Sequence, residues 1–326
     1  MSLTIASAPG KVILFGEHAV VSGVPALGAA IDLRVRARIE DAPGKLEISI
    51  PDMRLVIEGF SLDLITEKVL TEDISKKAIL AARYVYAVLK RFDASNLRVV
   101  VESEIPPSSG LGSSASVVVA TLAALNHHQE LGLSLEDLAW ESHQVEKEVQ
   151  SGLGSPMDTA LATFGGYQLI QAGPQQSLDL PELDLVVGWT GVPHDTKFEV
   201  EKVQNFRTKY PHIVGPIFES IGEISREALN LMKDGQLEEL GQLMNANHGL
   251  LEAIGVGTKE LSDLAYAARG AGEALGAKLT GAGGGGCIIA IPPTDPQGLV
   301  KTMTAISQAG GKPFHVATGC EGARLE

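Results

Sequence analysis

The sequence predicts an α+β protein in which antiparallel sheets and helices are segregated, and three features lead to that expectation. Residues 32–40 alternate apolar and charged side chains, which is the period of a strand with one face in solvent. Apolar residues recur at helical spacing across 76–92 and, in the second half, across much of 210–274. The chain has 326 residues, more than an average domain holds, so we expect two domains.

Strands dominate the first third of the chain. The strand at 32–40 is followed by a turn at 42–44 and by renewed alternation at 46–50. Ser134, with Asp137 three residues later, resembles a capping box and marks the start of a helix that runs to about residue 149. The other elements predicted before residue 171 are helices at 76–92 and 114–129 and strands at 97–105 and 165–170.

The second half is predicted to be mainly helical. A Gly-, Pro-, Gln- and Ser-rich stretch at 171–180 separates the halves, and we place the two domains at 1–172 and 173–326. The elements predicted beyond it are a strand at 185–189, the helical stretch 210–274, a strand at 287–291, a helix at 297–308 and a strand at 314–317.

Composition argues against several classes of function. The chain has 40 acidic and 26 basic residues, and its net charge of −14 disfavours a protein that holds nucleic acid or an anionic membrane by charge. Two cysteines are too few for a disulfide framework, and no basic stretch precedes an apolar segment near Met1. The most apolar run, 115–125, is too short to span a bilayer. We therefore expect a cytoplasmic protein with neither nucleic acid nor a membrane as its partner.

A Gly- and Ser-rich segment, the central loop at 106–112, lies between a predicted strand and a predicted helix. Glycines allow backbone N–H groups to turn towards a ligand, and the start of a helix adds partial positive charge. Serine hydroxyls add donors and a ligand for Mg²⁺. These features favour phosphate binding, although a plain turn with a serine cap has the same composition. The residues predicted to bind a nucleotide are Pro107, Ser108, Ser109, Gly110, Leu111, Gly112, Ser113, Ser114, Ala115 and Ser116.

Two familiar phosphate motifs do not account for this loop. The Walker pattern GxxxxGK[ST] does not occur in the chain. Gly110, Gly112 and Ala115 match the dinucleotide fingerprint, with Glu130 at about the expected distance. That fingerprint requires a parallel strand after the helix, whereas Gly132 and a second amphipathic helix follow here. A Rossmann dehydrogenase is therefore disfavoured.

Two further stretches need an explanation. Residues 283–286 are four consecutive glycines, which lose much conformational entropy on folding, so they indicate close approach to a ligand or to another backbone. Near the N-terminus, Lys11, Glu17 and His18 lie among strand-like apolar residues. Each of these three residues, taken alone, is more typical of an ordinary surface position.

Helix phase gives Glu146 an unusual place. In the helix that begins at about residue 135, Glu146 lies seven residues after Ala139 and three before Val149, which puts it on the apolar stripe. A carboxylate that points inwards needs a partner, and a metal ion is one such partner.

Three motifs, in this order, resemble those of the GHMP kinases, a family of small-molecule kinases. They are PGKVILFGEHAVV at 9–21, GLGSSAS at 110–116 and KLTGAGGGGC at 278–287, and together they span nearly the whole chain. The first motif, followed by GVPAL at 23–27, is most similar to the mevalonate kinase branch, and GSPMD at 154–158 to its archaeal members. The resemblance implies a first domain like ribosomal protein S5, a ferredoxin-like second domain and an active site between them.

The resemblance also implies an activity, the transfer of the γ-phosphoryl group of MgATP to the 5-hydroxyl of mevalonate. ATP and mevalonate are then the partners, Mg²⁺ is the cofactor, and a homodimer is expected. Two alternatives stay open: another kinase of the family, acting on phosphomevalonate, homoserine or galactose, and a non-catalytic metabolite sensor. The presence of Lys11, Ser114, Glu146 and Asp158 together argues against the sensor, because a sensor has no need of the whole set.

The same resemblance assigns roles to the reacting side of the site. Asp158 is the predicted catalytic residue that faces the substrate hydroxyl, although an Asp at this place is otherwise typical of a helix cap. Lys11 is the predicted catalytic cation beside the transferred phosphoryl group. Glu17, His18 and Thr196 match positions on the substrate side, with His18 as a donor to the substrate carboxylate.

Ser114 and Glu146 match the Mg²⁺ ligands of the family. An ungapped comparison would put Lys147 in the place of the carboxylate, but the helix phase of this chain favours Glu146.

Overall fold

Most strands and helices lie close to their predicted positions. The computed structural model describes residues 3–58, 76–106, 109–150, 152, 154–171, 176–193 and 195–326. The strands are β1 (Leu3–Phe15), β2 (Ala26–Asp41), β3 (Glu47–Ile50), β4 (Leu55–Glu58), β5 (Leu97–Ser103), β6 (Tyr167–Ile170), β7 (Gln176–Leu178), β8 (Asp184–Trp189), β9 (Gly276–Thr280), β10 (Cys287–Ile291), β11 (Lys312–Ala317) and β12 (Arg324–Leu325). The α-helices are α1 (Lys76–Arg91), α2 (Ser113–His128), α3 (Leu135–Val149), α4 (Pro156–Phe164), α5 (Thr196–Lys209), α6 (Pro211–Asp234), α7 (Leu237–Ala253), α8 (Lys259–Arg269) and α9 (Gly298–Gln308).

The first sheet is built on the long antiparallel pair β1 and β2. Its strand order is β12-β1-β2-β5-β3-β4, with β6 paired to β2 and β7 paired to β6, and β3 and β5 make its one parallel pair among the described strands. The predicted alternation is confirmed, since Val35, Ala37 and Ile39 are buried between charged residues. The strand β2 begins at Ala26, earlier than predicted. The alternation pattern does not reveal residues 26–31 because they are buried on both faces of the sheet.

Helix α2 packs against β1 and β2 and against α1 and α3. It is apolar on all sides, and nearly every residue from Ala115 to Leu125 is buried. A helix so enclosed has little freedom to move, so its N-terminus, where the central loop ends at Gly112, is held in one place. The predicted capping box of α3 is confirmed, because Ser134 Oγ accepts the backbone N–H of Asp137 at 3.1 Å.

The second sheet is antiparallel throughout, in the order β11-β8-β10-β9. The stretch predicted as largely helical is three helices, α6 to α8, and the breaks fall at Gly235 (φ 68°) and Gly255 (φ 86°), where a left-handed backbone ends a helix. Helix α5 was not predicted, and its pattern is weak because only Glu199 and Val203 are buried.

The end of the chain returns to the first sheet. Strand β12 pairs with β1, and the buried Arg34 guanidinium donates to the carbonyl oxygens of Glu321 at 2.8 Å and Gly322 at 2.6 Å. The division at residue 172 lies outside the described residues and stays a prediction. Strand β12 comes from the predicted second domain but pairs with β1 of the predicted first domain. Within the described part of the chain, no helix has both the length and the apolar character that a bilayer crossing needs.

Candidate active site

The three motifs, far apart along the chain, meet in the folded structure. Thr280 Oγ1, at the end of β9, donates to the carbonyl of Ile13 at 2.9 Å and accepts its N–H at 3.0 Å, which ties the third motif to β1. The N–H of Lys11 donates to the carbonyl of Leu111 at 2.9 Å, which ties β1 to the central loop.

The central loop leads directly into the N-terminus of α2. Its last residue, Gly112, is the N-cap and has φ 79°, and no described side chain caps the first turn. The first N–H groups of α2 therefore have no partner within the helix, which suits them to an anion. A side chain at position 112 would also meet Lys11, with its Cβ 2.7 Å from Cγ of the lysine, so glycine is required there.

The predicted nucleotide-binding residues differ in how far they are buried. Pro107 and Ser108 lie outside the described residues. Ser113 and Ser114 are half-buried at the mouth of α2. The side chains that are buried and support the loop instead are those of Ser109, Leu111, Ala115 and Ser116. Among them, Ser116 Oγ donates to the carbonyl of Pro9 at 2.7 Å.

Asp158 and Lys11 form an ion pair next to the central loop. Lys11 Nζ lies 3.4 Å from Oδ2 of Asp158, and both side chains are largely withdrawn from solvent. Asp158 is in the first turn of α4, whose N-cap is Ser155. Asp158 is therefore not the N-cap residue of α4, and its carboxylate contacts the lysine.

Glu146 points inwards from α3, as its helix phase predicts. Its side chain is 2% exposed, and Oε1 accepts a hydrogen bond from Ser114 Oγ at 2.8 Å. No described residue donates to the buried Oε2. Burial raises the pKa of Glu146 to about 8, and the nearby Asp158 carboxylate contributes in the same direction. A further cation beside this carboxylate would lower its pKa again and so oppose both the burial and the repulsion from Asp158.

The Ser114–Glu146 pair fits the donor set that Mg²⁺ uses with a nucleotide. Magnesium is commonly held by one or two carboxylates together with phosphate oxygens and water. Among the described residues there is no cluster of three His, Cys, Asp or Glu that could hold a metal alone. The hydroxyl of Ser114 and the unpartnered oxygen of Glu146 are hard ligands of the required kind.

Lys278 is a member of the site that sequence reasoning missed. Its ammonium group is fully buried, pairs with Glu17, and donates to the carbonyl of Leu279 at 2.8 Å. Burial raises the pKa of Glu17 and lowers that of Lys278, and in each case the charge of the partner opposes the shift. A lysine between apolar neighbours in a buried strand was the available signal, because such a charge requires a partner.

His18 lies beside the third motif, and its contacts there determine which ring nitrogen carries the proton. Its Nε2 donates to the carbonyl of Ala282 at 2.9 Å, and burial lowers the pKa of the ring. The neutral ring therefore carries its proton on Nε2, and Nδ1 is an acceptor. The predicted role of donor to a carboxylate requires a second proton on this ring.

The glycines at 283–286 approach other parts of the backbone and α5. All four have positive φ, and a Cβ at Gly285 would lie 2.7 Å from the carbonyl oxygen of Val192. A Cβ at Gly284 would collide with the carboxylate of Glu199. Thr196 opens α5 and is exposed, so the buried residue of that turn is Glu199.

Comparison with known proteins identifies the family to which these motifs belong. The model described as the GHMP kinases N terminal domain matches residues 79–166, and that described as GHMP kinases C terminal matches residues 225–304. The chain is 42% identical over 334 residues to the mevalonate kinase of Pyrococcus horikoshii, covering 99% of this chain and 97% of that protein. It is 41% identical over 333 residues to the mevalonate kinase of Thermococcus sibiricus, covering 99% and 98%.

The fold is likewise shared with a solved structure. The crystal structure of L. major mevalonate kinase in complex with R-mevalonate matches with a TM-score of 0.82 at 27% identity, over 99% of this chain and 97% of that chain.

Proposed function

The chain belongs to the mevalonate kinase branch of the GHMP kinases, and we propose how its own residues transfer the γ-phosphoryl group of ATP to the 5-hydroxyl of mevalonate. It is thus an ATP-dependent phosphotransferase that acts on a hydroxyl group. The observation that carries the proposal is the adjacency of two pairs, Lys11 with Asp158 and Ser114 with Glu146. The charges of Lys11 and Asp158 both act on the Glu146 carboxylate, so the two pairs share one site.

The nucleotide phosphates are proposed to bind at the N-terminus of α2. The backbone N–H groups of Gly112, Ser113 and Ser114 and the partial positive charge of the helix start would hold them. The wider predicted segment, 107–116, stays the candidate nucleotide site. This arrangement explains how a chain with a net charge of −14 binds a polyanion, since the favourable charges are local.

Ser114 Oγ and Glu146 Oε2 are the proposed protein ligands of Mg²⁺. The cation, when bound, neutralises negative charge on the phosphates and on the transferred group. Glu146 is buried beside the Asp158 carboxylate, so a nearby cation would stabilise its ionised form. Ser114 orients the Glu146 carboxylate through the hydrogen bond to Oε1.

Asp158 and Lys11 are the proposed catalytic residues. The Asp158 carboxylate would accept the proton of the 5-hydroxyl, or orient that hydroxyl for in-line attack on the γ-phosphorus. The Lys11 ammonium, 3.4 Å from the carboxylate, would stabilise the charge that develops on the transferred group. His18, Thr196 and Glu17 are proposed to border the mevalonate side.

The decisive test of this function is ADP release measured with mevalonate, phosphomevalonate, homoserine and galactose as acceptors. We expect turnover with mevalonate and little with the other three, because the pocket and not the fold selects the acceptor. Preferred turnover of another acceptor would assign the chain to another activity of the family. Binding of ATP without any turnover would instead favour the sensor.

Glu146→Gln is expected to raise the Mg²⁺ concentration needed for half-maximal activity by about tenfold or more, because a neutral amide is a weaker ligand. The matched control is Lys147→Gln on the next position of α3, which should leave the Mg²⁺ dependence unchanged. An equal change in both variants would show that the wrong residue of α3 has been assigned.

The metal-free protein should also show a pH-dependent gain in stability from Glu146→Gln. The pKa of Glu146 is raised from 4.5 to about 8, so the unfolded chain releases a proton that the folded protein retains, and folding stability falls as the pH rises across that interval. Glutamine does not ionise, and the variant therefore avoids this loss. Urea unfolding at several pH values measures the effect, with the exposed Glu148→Gln as the control that shows no such trend.

A further inference from the structure

The buried ion pair between Lys278 and Glu17 takes no part in the phosphoryl transfer or the metal binding proposed above. Lys278 has 0% and Glu17 1% of its side chain exposed, and the ammonium also lies 5.8 Å from the ring centroid of Phe15. Two charges removed so completely from water have a large desolvation cost, so such a pair often contributes no net stability over apolar residues of the same size. Its presence here therefore needs a reason other than stability.

Glu17 lies in a tight bend of the chain, the corner formed by residues 16–18. Gly16 has φ 95° and His18 has φ 60°, and a positive φ is unfavourable for a residue with a Cβ such as His18. A side chain at Gly16 would collide with Ala26, so the corner also packs directly against β2. Backbone strain of this kind persists only where surrounding contacts impose it.

The contacts that impose this conformation come from the third motif. Lys278 holds Glu17, the carbonyl of Ala282 holds His18, and Thr280 holds Ile13 in β1. Three attachments from one short segment therefore reach β1 and the corner that follows it. Lys11 lies two residues before Ile13 on the same strand, so the position of its ammonium depends on where these attachments hold β1.

We propose that Lys278 is a positioning residue, which acts through Glu17 to hold the 16–18 corner against the third motif and thereby keeps Lys11 and the mevalonate side of the site in place. Glu17 then contributes through this pair, in which Lys278 donates to its Oε1, while its Oε2 is buried and accepts no hydrogen bond from a described residue. The inference rests on the proposed function where it predicts a change in kcat. The contacts between the 16–18 corner and the third motif do not depend on which substrate the protein binds.

The test compares Lys278→Met, Glu17→Gln and the double variant with a matched surface pair. Each single variant should lower kcat by about 10- to 100-fold, because a small misplacement of a reacting group is costly, while KM for ATP changes little. The control is Lys301→Met, which removes the lysine of the exposed Lys301–Glu273 pair and should leave kcat and KM unchanged.

The double variant separates positioning from stability. Lys278→Met alone leaves an unpaired buried carboxylate and should lower Tm, whereas Lys278→Met with Glu17→Gln removes both charges and should recover most of that loss. We expect kcat to stay at least about tenfold low in the double variant although Tm is restored. A wild-type kcat in this stable variant would overturn the proposal.

Two further readouts distinguish the remaining outcomes. If Glu17 bound the substrate, Glu17→Gln would raise KM for mevalonate and Lys278→Met would not, which would also overturn the proposal. Hydrogen–deuterium exchange over residues 13–22 does not depend on activity, and it should be faster in Lys278→Met and in the double variant. Unchanged exchange would contradict positioning, whereas absence of turnover in the wild-type protein with mevalonate would contradict the proposed function alone.

Discussion

Replacement of Asp158 by Asn is expected to lower kcat by about 10²- to 10⁴-fold, the range typical of a lost general base. The amide keeps the shape of the side chain but neither accepts the hydroxyl proton nor pairs with the Lys11 ammonium at 3.4 Å. ATP binding should remain near the wild-type level, because the proposed phosphate site at the start of α2 does not include this residue. Steady-state kinetics and a nucleotide-binding titration measure the two quantities separately.

Asp263→Asn is the matched control for this variant. Asp263 also pairs with a lysine, Lys259, but on the exposed face of α8, and its replacement should leave kcat unchanged. A fully active Asp158→Asn enzyme would contradict the proposed mechanism. A large loss of ATP affinity in that variant would instead place Asp158 on the nucleotide side.

Replacement of Lys11 by Met is expected to lower kcat by about 10²- to 10³-fold, the effect of removing one preorganised group that stabilises developing charge. Methionine retains the length and the packing of the stem, which lies against Gly112, so the central loop should keep its shape. Arginine is a poorer replacement because its planar group differs from a compact ammonium. Single-turnover measurements with bound ATP isolate the transfer step.

Lys45→Met is the control for charge alone, since the exposed Lys45 pairs with Glu47 at the start of β3. The double variant of Lys11 and Asp158 tests whether the two residues act together. We expect its loss of kcat to be much smaller than the product of the two single losses, because residues that act as a unit are not additive. Multiplicative losses would show that the two side chains act in independent steps.

The central site was accessible from the sequence because its signals are local. Glycines and serines before an apolar helix predict an anion site through backbone geometry alone. The period of α3 was sufficient to turn Glu146 inwards, since helix phase depends only on spacing. The pairing of Glu146 with Ser114 and that of Lys11 with Asp158 required the fold, because each joins separate elements of the chain.

Other features could not be read from spacing. Helix α5 has a weak pattern because only one part of it is buried, and the buried double face of β2 over 26–31 has no period. Arg34 donates to the carbonyls of Glu321 and Gly322 just before β12, although its pattern alone is that of a solvent-facing strand residue. In each case the residues are buried by elements that are distant from them in the sequence.

The family, the order of the motifs and the residues proposed to carry the chemistry follow from the sequence alone, because glycine content, helix phase and residue type act over a few neighbouring positions. Which side chains are paired, and in which protonation state, depends on the fold. Lys278 became the partner of Glu17, and His18 became an Nε2 donor, because strand β9 and the glycines after it pack against β1. Burial and charge pairing are set by residues that are distant in sequence, so they exist only once the chain has folded.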